Sequence, residues 1–368
     1  MSAKAICEKI MLSNIKAIAY YLPQFHPIPE NDSWWGKGFT EWTNTAKAKP
    51  LFRGHYQPHV PADLGFYDLR VPETRAAQAE MAREYGVYGF CYYHYWFAGK
   101  RVLERPFNEV LQSKQPDFPF CLCWANQTWT GVWHGAPNRI LIEQTYPGIS
   151  DHQRHFATLL PAFLDERYIR VDNKPIFFIY EASKLPEPRR TIELWQNMAI
   201  KAGLTGIHFV SVSGIGRWNP LDHGFDAISP PPNWALRPWG SPREPLKWLK
   251  NKFERARGLP TIERYEKWLR TQKKYNDIAE KYYPCVTHAW DNTPRSGKNG
   301  FVLKNSSPEL FKMALEDAIE SVQENPDDRK IIMLKSWNEW AEGNHLEPDL
   351  KYGDSYLIKL RELLKISS

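Results

Sequence analysis

The sequence predicts an α/β protein built as a single (β/α)8 TIM barrel, and three observations predict it. Eight short apolar runs alternate with amphipathic helical segments, which implies a parallel sheet. Eight is also the strand number that closes such a barrel. The C-terminal ends of these runs carry carboxylates, amides, imidazoles and rings, and a barrel gathers those ends at one face. A doubly wound open sheet is the competitor. It wants a glycine-rich phosphate turn after an early strand, whereas the first run ends in Pro23-Gln24-Phe25-His26. A length of 368 residues suits one α/β barrel.

Lys16–Phe25 (KAIAYYLPQF) reads as the first strand, and a long polar-aromatic loop follows to about Asp68. Pro72–Tyr85 is the first helix. Pro72 fits its first turn, where no amide hydrogen is needed, and Gly86 lies just past its end. Val87–Trp96 is the second strand, Phe107–Lys114 a short helix, and Phe118–Asn126 the third strand. Asp151–Leu164 is helical, Pro175–Glu181 is the fourth strand, and Pro188–Ala202 is a helix closed by Gly203. Ile207–Ser213 and Phe225–Ser229 are the fifth and sixth strands. Residues 232–283 break the rhythm with a Pro-rich loop and a basic amphipathic helical stretch, read as an insertion between strands six and seven. Cys285–Trp290 is the seventh strand. Ser307–Glu324 is a helix with Ser307 as its cap, Pro308 in first position, and Leu310, Ala314, Leu315, Ile319 and Val322 on one face. Ile331–Ser336 is the eighth strand and Ser355–Leu364 the closing helix. Residues 1–15 form an N-terminal tail and 16–368 one barrel domain.

A hydrophobic fraction of 42% with 24% charged residues describes a chain able to bury a large core, which excludes intrinsic disorder. No apolar run approaches the roughly 18 residues of a membrane-spanning helix. Lys4, Glu8, Lys9, Asn14 and Lys16 interrupt the N-terminal apolar residues, so this segment makes a poor signal peptide and a cytoplasmic location is expected. Cys7, Cys91, Cys121, Cys123 and Cys285 agree, being odd in number and set mostly in apolar runs. The net charge of +6 is uneven: Arg243–Tyr275 holds eleven Lys/Arg against four Asp/Glu. The rest is near neutral, so no nucleic-acid footprint is expected. Trp248, Phe253 and Trp268 lie among those cations, a pattern that can lie on an anionic membrane surface but is more often a solvated helical insert whose aromatics pack on the barrel.

The abnormal quantity is the aromatic content, 14% of the chain. Strand one ends at Gln24 and His26, and strand two in Tyr93, His94, Tyr95 and Trp96. Strand three ends in Trp124 and Asn126, strand four in Tyr180 and Glu181, and strand seven in Trp290 and Asp291. Rings that stack on the C–H faces of pyranoses, mixed with amides and carboxylates that bind hydroxyls, suit a sugar site. Each ring taken singly is more often a core residue with a satisfied polar tip; five strand ends together favour a site. The sharpest feature follows strand eight: Trp337-Asn338-Glu339-Trp340-Ala341-Glu342-Gly343. If this segment makes one helical turn, Glu339 and Glu342 face one way with Cβ atoms about 5–6 Å apart. Glycoside hydrolysis needs two carboxyl groups about one bond, and close carboxylates raise one pKa as a general acid requires. Glu41 and Trp42, in a loop echo of the Asn-Glu-Trp element, join the expected sugar-binding set.

Long motifs then carry a resemblance. AIAYYLPQFHPIPEND, WWGKGFTEWTN, PHVPADLGFYDLR, GVYGFCYYHYWFAGKRVLE, PFCLCWANQTW, KPIFFIY and SWNEWAEGNHLEPD together resemble the WbsX-type proteins of bacterial surface-polysaccharide clusters, labelled glycosyltransferases. The match runs from about residue 16 to 360. A narrower resemblance, resting on Asn338–Gly343 followed by Glu347-Pro348, is to glycoside hydrolase family 99, endo-α-mannosidases and endo-α-mannanases with a (β/α)8 barrel. That resemblance implies Glu339 as the base that polarises a sugar 2-hydroxyl and Glu342 as the acid that protonates the leaving oxygen. It implies retention through a 1,2-anhydro sugar, with no covalent enzyme adduct. Ala341 stands where that family usually has His.

The expected partner is an oligo- or polysaccharide of O-antigen or capsule metabolism, lipid-linked if the basic stretch 243–275 meets the inner membrane. No cofactor and no metal are expected. No Asp-x-Asp element is present, His55 and His59 lie in a Pro-rich loop, and Cys121 and Cys123 share one packed strand face. A glycosyltransferase with an activated donor is the alternative, for which Gly214-Ile215-Gly216-Arg217 is the nearest thing to a phosphate loop. A carbohydrate-binding barrel without catalysis is the third class.

Overall fold

The computed structural model describes residues 14–131, 136–215, 218–230, 245–272 and 276–364. Its centre is a nine-stranded sheet in which eight strands run parallel and a short ninth, Arg170–Val171, pairs antiparallel with the start of Lys174–Ile179. The eight parallel strands are β1 (Lys16–Tyr21), β2 (Gly89–His94), β3 (Phe120–Trp124), β4 (Lys174–Ile179), β5 (His208–Ser211), β6 (Ala227–Ile228), β7 (Cys285–Val286) and β8 (Ile331–Leu334). Their spatial order is β6-β5-β4-β3-β2-β1-β8-β7. Lys16 pairs with Ile331, Ile18 with Gly89, Phe90 with Phe120, Leu122 with Phe177, and His208 with Ile176. The sheet is curled, and β6 makes one isolated parallel bridge, Ile228 with Tyr282, to the segment that leads into β7. There the Tyr283 amide donates to the Ile228 carbonyl at 2.9 Å.

Helices cover the outer face: α1 (Pro72–Glu84), α2 (Arg105–Ser113), α3 (Ile149–Phe163), α4 (Pro188–Lys201), α5 (Pro308–Val322) and α6 (Ser355–Leu364). Proline opens α1, α4 and α5, and the Ser307 hydroxyl accepts from the Leu310 amide to cap α5. Strands buried on both faces read as continuous apolar runs, as expected for a parallel sheet. Phe177, Trp195, Phe163 and Phe156 fill the layer between β4 and helices α3 and α4. Each such ring contributes on the order of 1.5–3 kcal/mol by burial. Gly89 lets β2 and β3 approach: a Cβ there would lie 2.6 Å from the Pro119 carbonyl oxygen.

Four regions differ from the sequence reading. The loop after β1 contains two short helices, Pro29–Trp35 and Glu41–Lys47, the second capped by Thr40. After β3 the chain makes a hairpin of Trp129–Gly131 and Ala136–Ile142, whose mixed polarity gave no clean alternation to read. The 232–283 stretch is helical over Pro245–Ala256, then enters a strand, Thr261–Arg264, parallel to Phe301–Lys304. That pairing partner lies 40 residues on, which local periodicity does not reveal. Lastly, the helical turn expected at Glu339–Glu342 is of the 3-10 kind and sits inside a hairpin. Asn338–Glu339 pairs antiparallel with Asn344–His345 across a 3-10 turn, Trp340–Glu342. Cys7, most of the tail, Gly216-Arg217, residues 232–244 and Lys273–Tyr275 lie outside the described residues. Among the described residues, no helix is long and apolar enough to cross a membrane.

Candidate active site

The hairpin after β8 sets the site. In a 3-10 turn, side chains three apart eclipse, so Glu339 and Glu342 point the same way. Gly343 closes the turn at φ +55°, and a Cβ there would meet Asp291 Cβ at 3.0 Å. The Asp291 amide donates to the Glu342 carbonyl at 2.6 Å, fixing the turn to the end of β7. Asn338 fixes it to β1: its side chain accepts from the Leu22 amide at 2.7 Å and donates to the Leu22 carbonyl at 3.0 Å.

Both glutamates reach a cavity of about 410 Å³ at the C-terminal ends of the strands. Tyr93, Tyr95, Tyr180, Trp35, Trp129 and Trp290 supply its rings. Gln24, Gln127, Thr128 and Thr130 supply neutral polar groups, and Arg295 and Lys335 supply cations. Arg295 organises the acids. Its Nη2 donates to Glu339 at 2.8 Å, its Nη1 to Glu342 at 2.5 Å, and its Nε to Glu41 at 3.0 Å. A planar guanidinium fork holds its three carboxylates in one fixed arrangement.

Three carboxylates against two buried cations leave one negative charge in excess if all ionise. The field resolves this at Glu342. Burial and the Glu339 charge push its pKa up to about 7, against the pull of Arg295 and Lys335. Burial likewise raises Glu41, opposed by Arg295. Burial opposes the Lys335 charge, but Tyr180, Glu342 and Glu339 outweigh it and raise its pKa. The arrangement therefore sets a carboxyl of raised pKa beside a second one on the same guanidinium in a ring-lined cleft, as general acid–base chemistry requires.

Of the residues expected to bind sugar, Gln24, Tyr93, Tyr95, Tyr180 and Trp290 line this cavity together with Glu339 and Glu342. Glu41 stands behind Arg295. Asn126 and Glu181 line a neighbouring open cleft, tied together by the Asn126 side chain accepting from the Glu181 amide at 2.7 Å. The others lie in the wall. His26 donates to the Pro23 carbonyl. His94 faces away from the cavity, because alternate strand residues do, and meets His155 at 2.8 Å. Trp96 stacks on His155 and donates to Asp151, and Trp124 packs edge-on against His155. Trp337 packs on Phe90. Trp42 donates to the Tyr67 carbonyl, and Trp340 donates to Glu347 at 2.6 Å. Asp291 faces the opposite side of Trp290, where it accepts from His55 at 2.6 Å and from Gln57 and Thr293. Burial opposes its ionisation, but those bonds outweigh it and lower its pKa.

Sequence reasoning missed Arg295, Lys335, Trp35 and Trp129. Lys335 was legible, lying one residue past β8; the others sit in segments whose fold gave no periodic signal. Glu347 was quoted only as a motif residue. It is buried beneath the turn and accepts from Trp340, Tyr67 and Gln78, and burial pushes its pKa up to about 7.

Comparison with known proteins agrees with this frame. Two curated relatives, each named "Uncharacterized protein WxcX", come from strains of Xanthomonas campestris pv. campestris. They are 39% identical over 352 and 359 residues, 94% of this chain and 49% of each relative. The chain thus spans about half the length of the curated relatives it matches. Among solved structures, a GH99 endo-α-mannosidase from Bacteroides thetaiotaomicron aligns with a TM-score of 0.56 at 15% identity, over 95% of this chain and 96% of that one. A "Glycoside hydrolase-like protein" aligns with a TM-score of 0.56 at 14% identity, over 96% and 94%. Identities this low show a shared fold. The family profile described as Glycosyltransferase WbsX matches residues 17–360, so this chain belongs to the WbsX family of carbohydrate-active proteins.

Proposed function

We propose that the chain cleaves or transfers a glycosidic bond with retention, Glu342 acting as acid and Glu339 as base. The observation that carries this reading is the pair of glutamates held on one guanidinium at the floor of a ring-lined cavity. Arg295 engages Oε2 of Glu339 and Oε1 of Glu342, which holds both acids at the cavity. As the sugar 2-oxygen attacks C1, Glu339 takes its proton. The bond from C1 to the leaving oxygen breaks, and Glu342 protonates that oxygen. Water or an acceptor hydroxyl then opens the 1,2-anhydro ring at C1, returning its proton to Glu342 while Glu339 returns the first to O2. Both proton ledgers close, and two inversions give retention.

The substrate is an oligo- or polysaccharide of surface-polysaccharide metabolism, and the strands form a closed (β/α)8 ring around the site. The bridge between Ile228 and Tyr282 supports closure. Glycan hydrolysis, or transfer to an acceptor glycan, tests the activity. Glu342→Gln and Glu339→Gln are each expected to lose at least 100-fold in kcat. Unchanged turnover in both sinks the assignment. The family description favours a second reading, transfer from an activated sugar. It requires saturable nucleotide-sugar binding, which calorimetry detects.

The chain is read as cytoplasmic and peripheral to the inner membrane. Along Pro245–Ala256, Leu246, Trp248, Leu249 and Phe253 are exposed, with Lys252 over the Trp248 ring. Tyr265 and Trp268, from the same basic stretch, are instead buried in a small core. Co-sedimentation with vesicles should rise with anionic lipid content and fall in Trp248→Ser/Phe253→Ser. Sedimentation indifferent to lipid charge counts against membrane contact.

A further inference from the structure

Behind the candidate active site, across Trp290, lies a second cavity of about 200 Å³. We propose that it holds a borderline divalent transition-metal ion, of which zinc is the type, bound by His59, His345 and Asp349.

The side chains come from two segments far apart in sequence, one carrying His59 and the other His345 and Asp349, and all three are buried. His59 Nδ1 lies 2.8 Å from His345 Nε2. The Asp349 carboxylate oxygen Oδ2 lies 3.9 Å from the first and 3.8 Å from the second. Atoms bound to one ion at about 2.0–2.2 Å are about 3.4 Å apart at the tetrahedral angle and never more than about 4.4 Å. All three separations fall within that limit. The two imidazoles need to part by only a few tenths of an ångström. A hydrogen bond accounts for the 2.8 Å contact alone; it leaves the carboxylate oxygen beyond hydrogen-bond reach of either ring.

The surroundings aim these atoms. His345 Nδ1 donates to the Glu347 carbonyl at 2.9 Å, so Nε2 presents its lone pair to the cluster. This is the outer-shell bond that orients ligating imidazoles generally. Asp349 Oδ1 accepts from the Lys351 and Tyr352 amides at 2.9 and 2.6 Å, which turns Oδ2 toward the rings. The backbone joins the two loops as well: Ala62 donates to the Pro348 carbonyl and Leu350 to the Val60 carbonyl. Binding requires His59 only to carry its proton on Nε2 instead of Nδ1. The donor set, two imidazoles and one carboxylate, selects borderline first-row ions over magnesium or calcium, which prefer all-oxygen shells. The cavity beside the cluster, lined also by Tyr56 and His288, leaves room for a fourth, solvent ligand.

Such an ion would act on the turn structurally. His345 pairs with Asn338 in the hairpin, and its ring stacks on Trp340 at 3.6 Å between centroids. The ion would therefore anchor the strand next to Glu339 to the loop that follows β1.

Calorimetric titration of tag-free, chelator-stripped protein with zinc alone tests the site. One equivalent is expected to bind, with affinity at least tenfold weaker in each of His59→Ala, His345→Ala and Asp349→Asn. Zinc should raise the Tm of the wild type by several degrees and leave the variants unmoved. No binding, or stoichiometric binding that the substitutions do not weaken, overturns the proposal. Should a variant misfold, zinc-soaked wild-type crystals decide. An anomalous peak among the three ligand atoms supports the site, and a peak elsewhere or none refutes it. The glutamate chemistry can fail independently of this result, since the titration reads no turnover.

Discussion

At the scale of single residues, protonation of Glu342 links chemistry and stability. Its pKa is raised to about 7 from the ordinary 4.5, chiefly by burial and then by Glu339. Below about pH 7 it carries the proton that the proposed general acid would donate. We expect kcat/KM to fall about tenfold per pH unit above about 7, as measured in a pH–rate profile. The stability sign follows from the same shift. The unfolded chain releases this proton near 4.5 and the native chain holds it to about 7. Glu342 therefore contributes stability fully present below about 4.5 and lost as pH rises through about 7. Glu342→Gln should flatten that part of the Tm-versus-pH curve while abolishing turnover. A variant with the wild-type slope would place the titrating group elsewhere. The acids themselves were legible in the sequence, as a pair flanked by tryptophans. Their counter-ion was not: Arg295 lies 44 residues before Glu339, in a short helical turn, Thr293–Ser296, with no pattern of its own.

At the scale of elements, the turn after β8 works because its backbone is unusual. Gly343 occupies the left-handed region, where a side chain is strained, and packs against Asp291. Gly343→Ala should cost about 1–3 kcal/mol, read by urea denaturation, and lower kcat by at least tenfold as Glu342 shifts. An unperturbed variant would show that the turn has slack. Eclipsed glutamates arise from a 3-10 turn inside a hairpin, whereas an E-x-x-E spacing read alone suggests only a helical turn; spacing fixes the facing, not the backbone. The same reasoning explains the rings. Sequence places Tyr93 and His94 equally at a strand end, but strand alternation sends Tyr93 to the cavity and His94 to His155.

At the scale of the whole molecule, the alternation of eight apolar runs with helices made the parallel sheet legible, because strands buried on both faces leave an unbroken signal. Pairings between distant segments, such as Thr261–Arg264 with Phe301–Lys304, leave no periodic trace. The sheet is also uneven. β2 and β3 share five paired positions, while β6 and β7 are two residues long, and β6 bridges only to Tyr282 in the segment before β7. Hydrogen exchange should therefore release amides in 225–229 and 282–286 well before those of 89–94. Uniform protection would contradict this ranking.

Strand order has a further effect, felt while the chain is being made. Lys16 lies beside Ile331, so β1 leaves the ribosome long before its second neighbour exists. Until then one rim of that strand stands open, a template for wrong partners. The acidic pair, borne just past β8, comes together only when that gap is sealed. A nascent chain stalled short of it would have most of its framework and none of its reactivity.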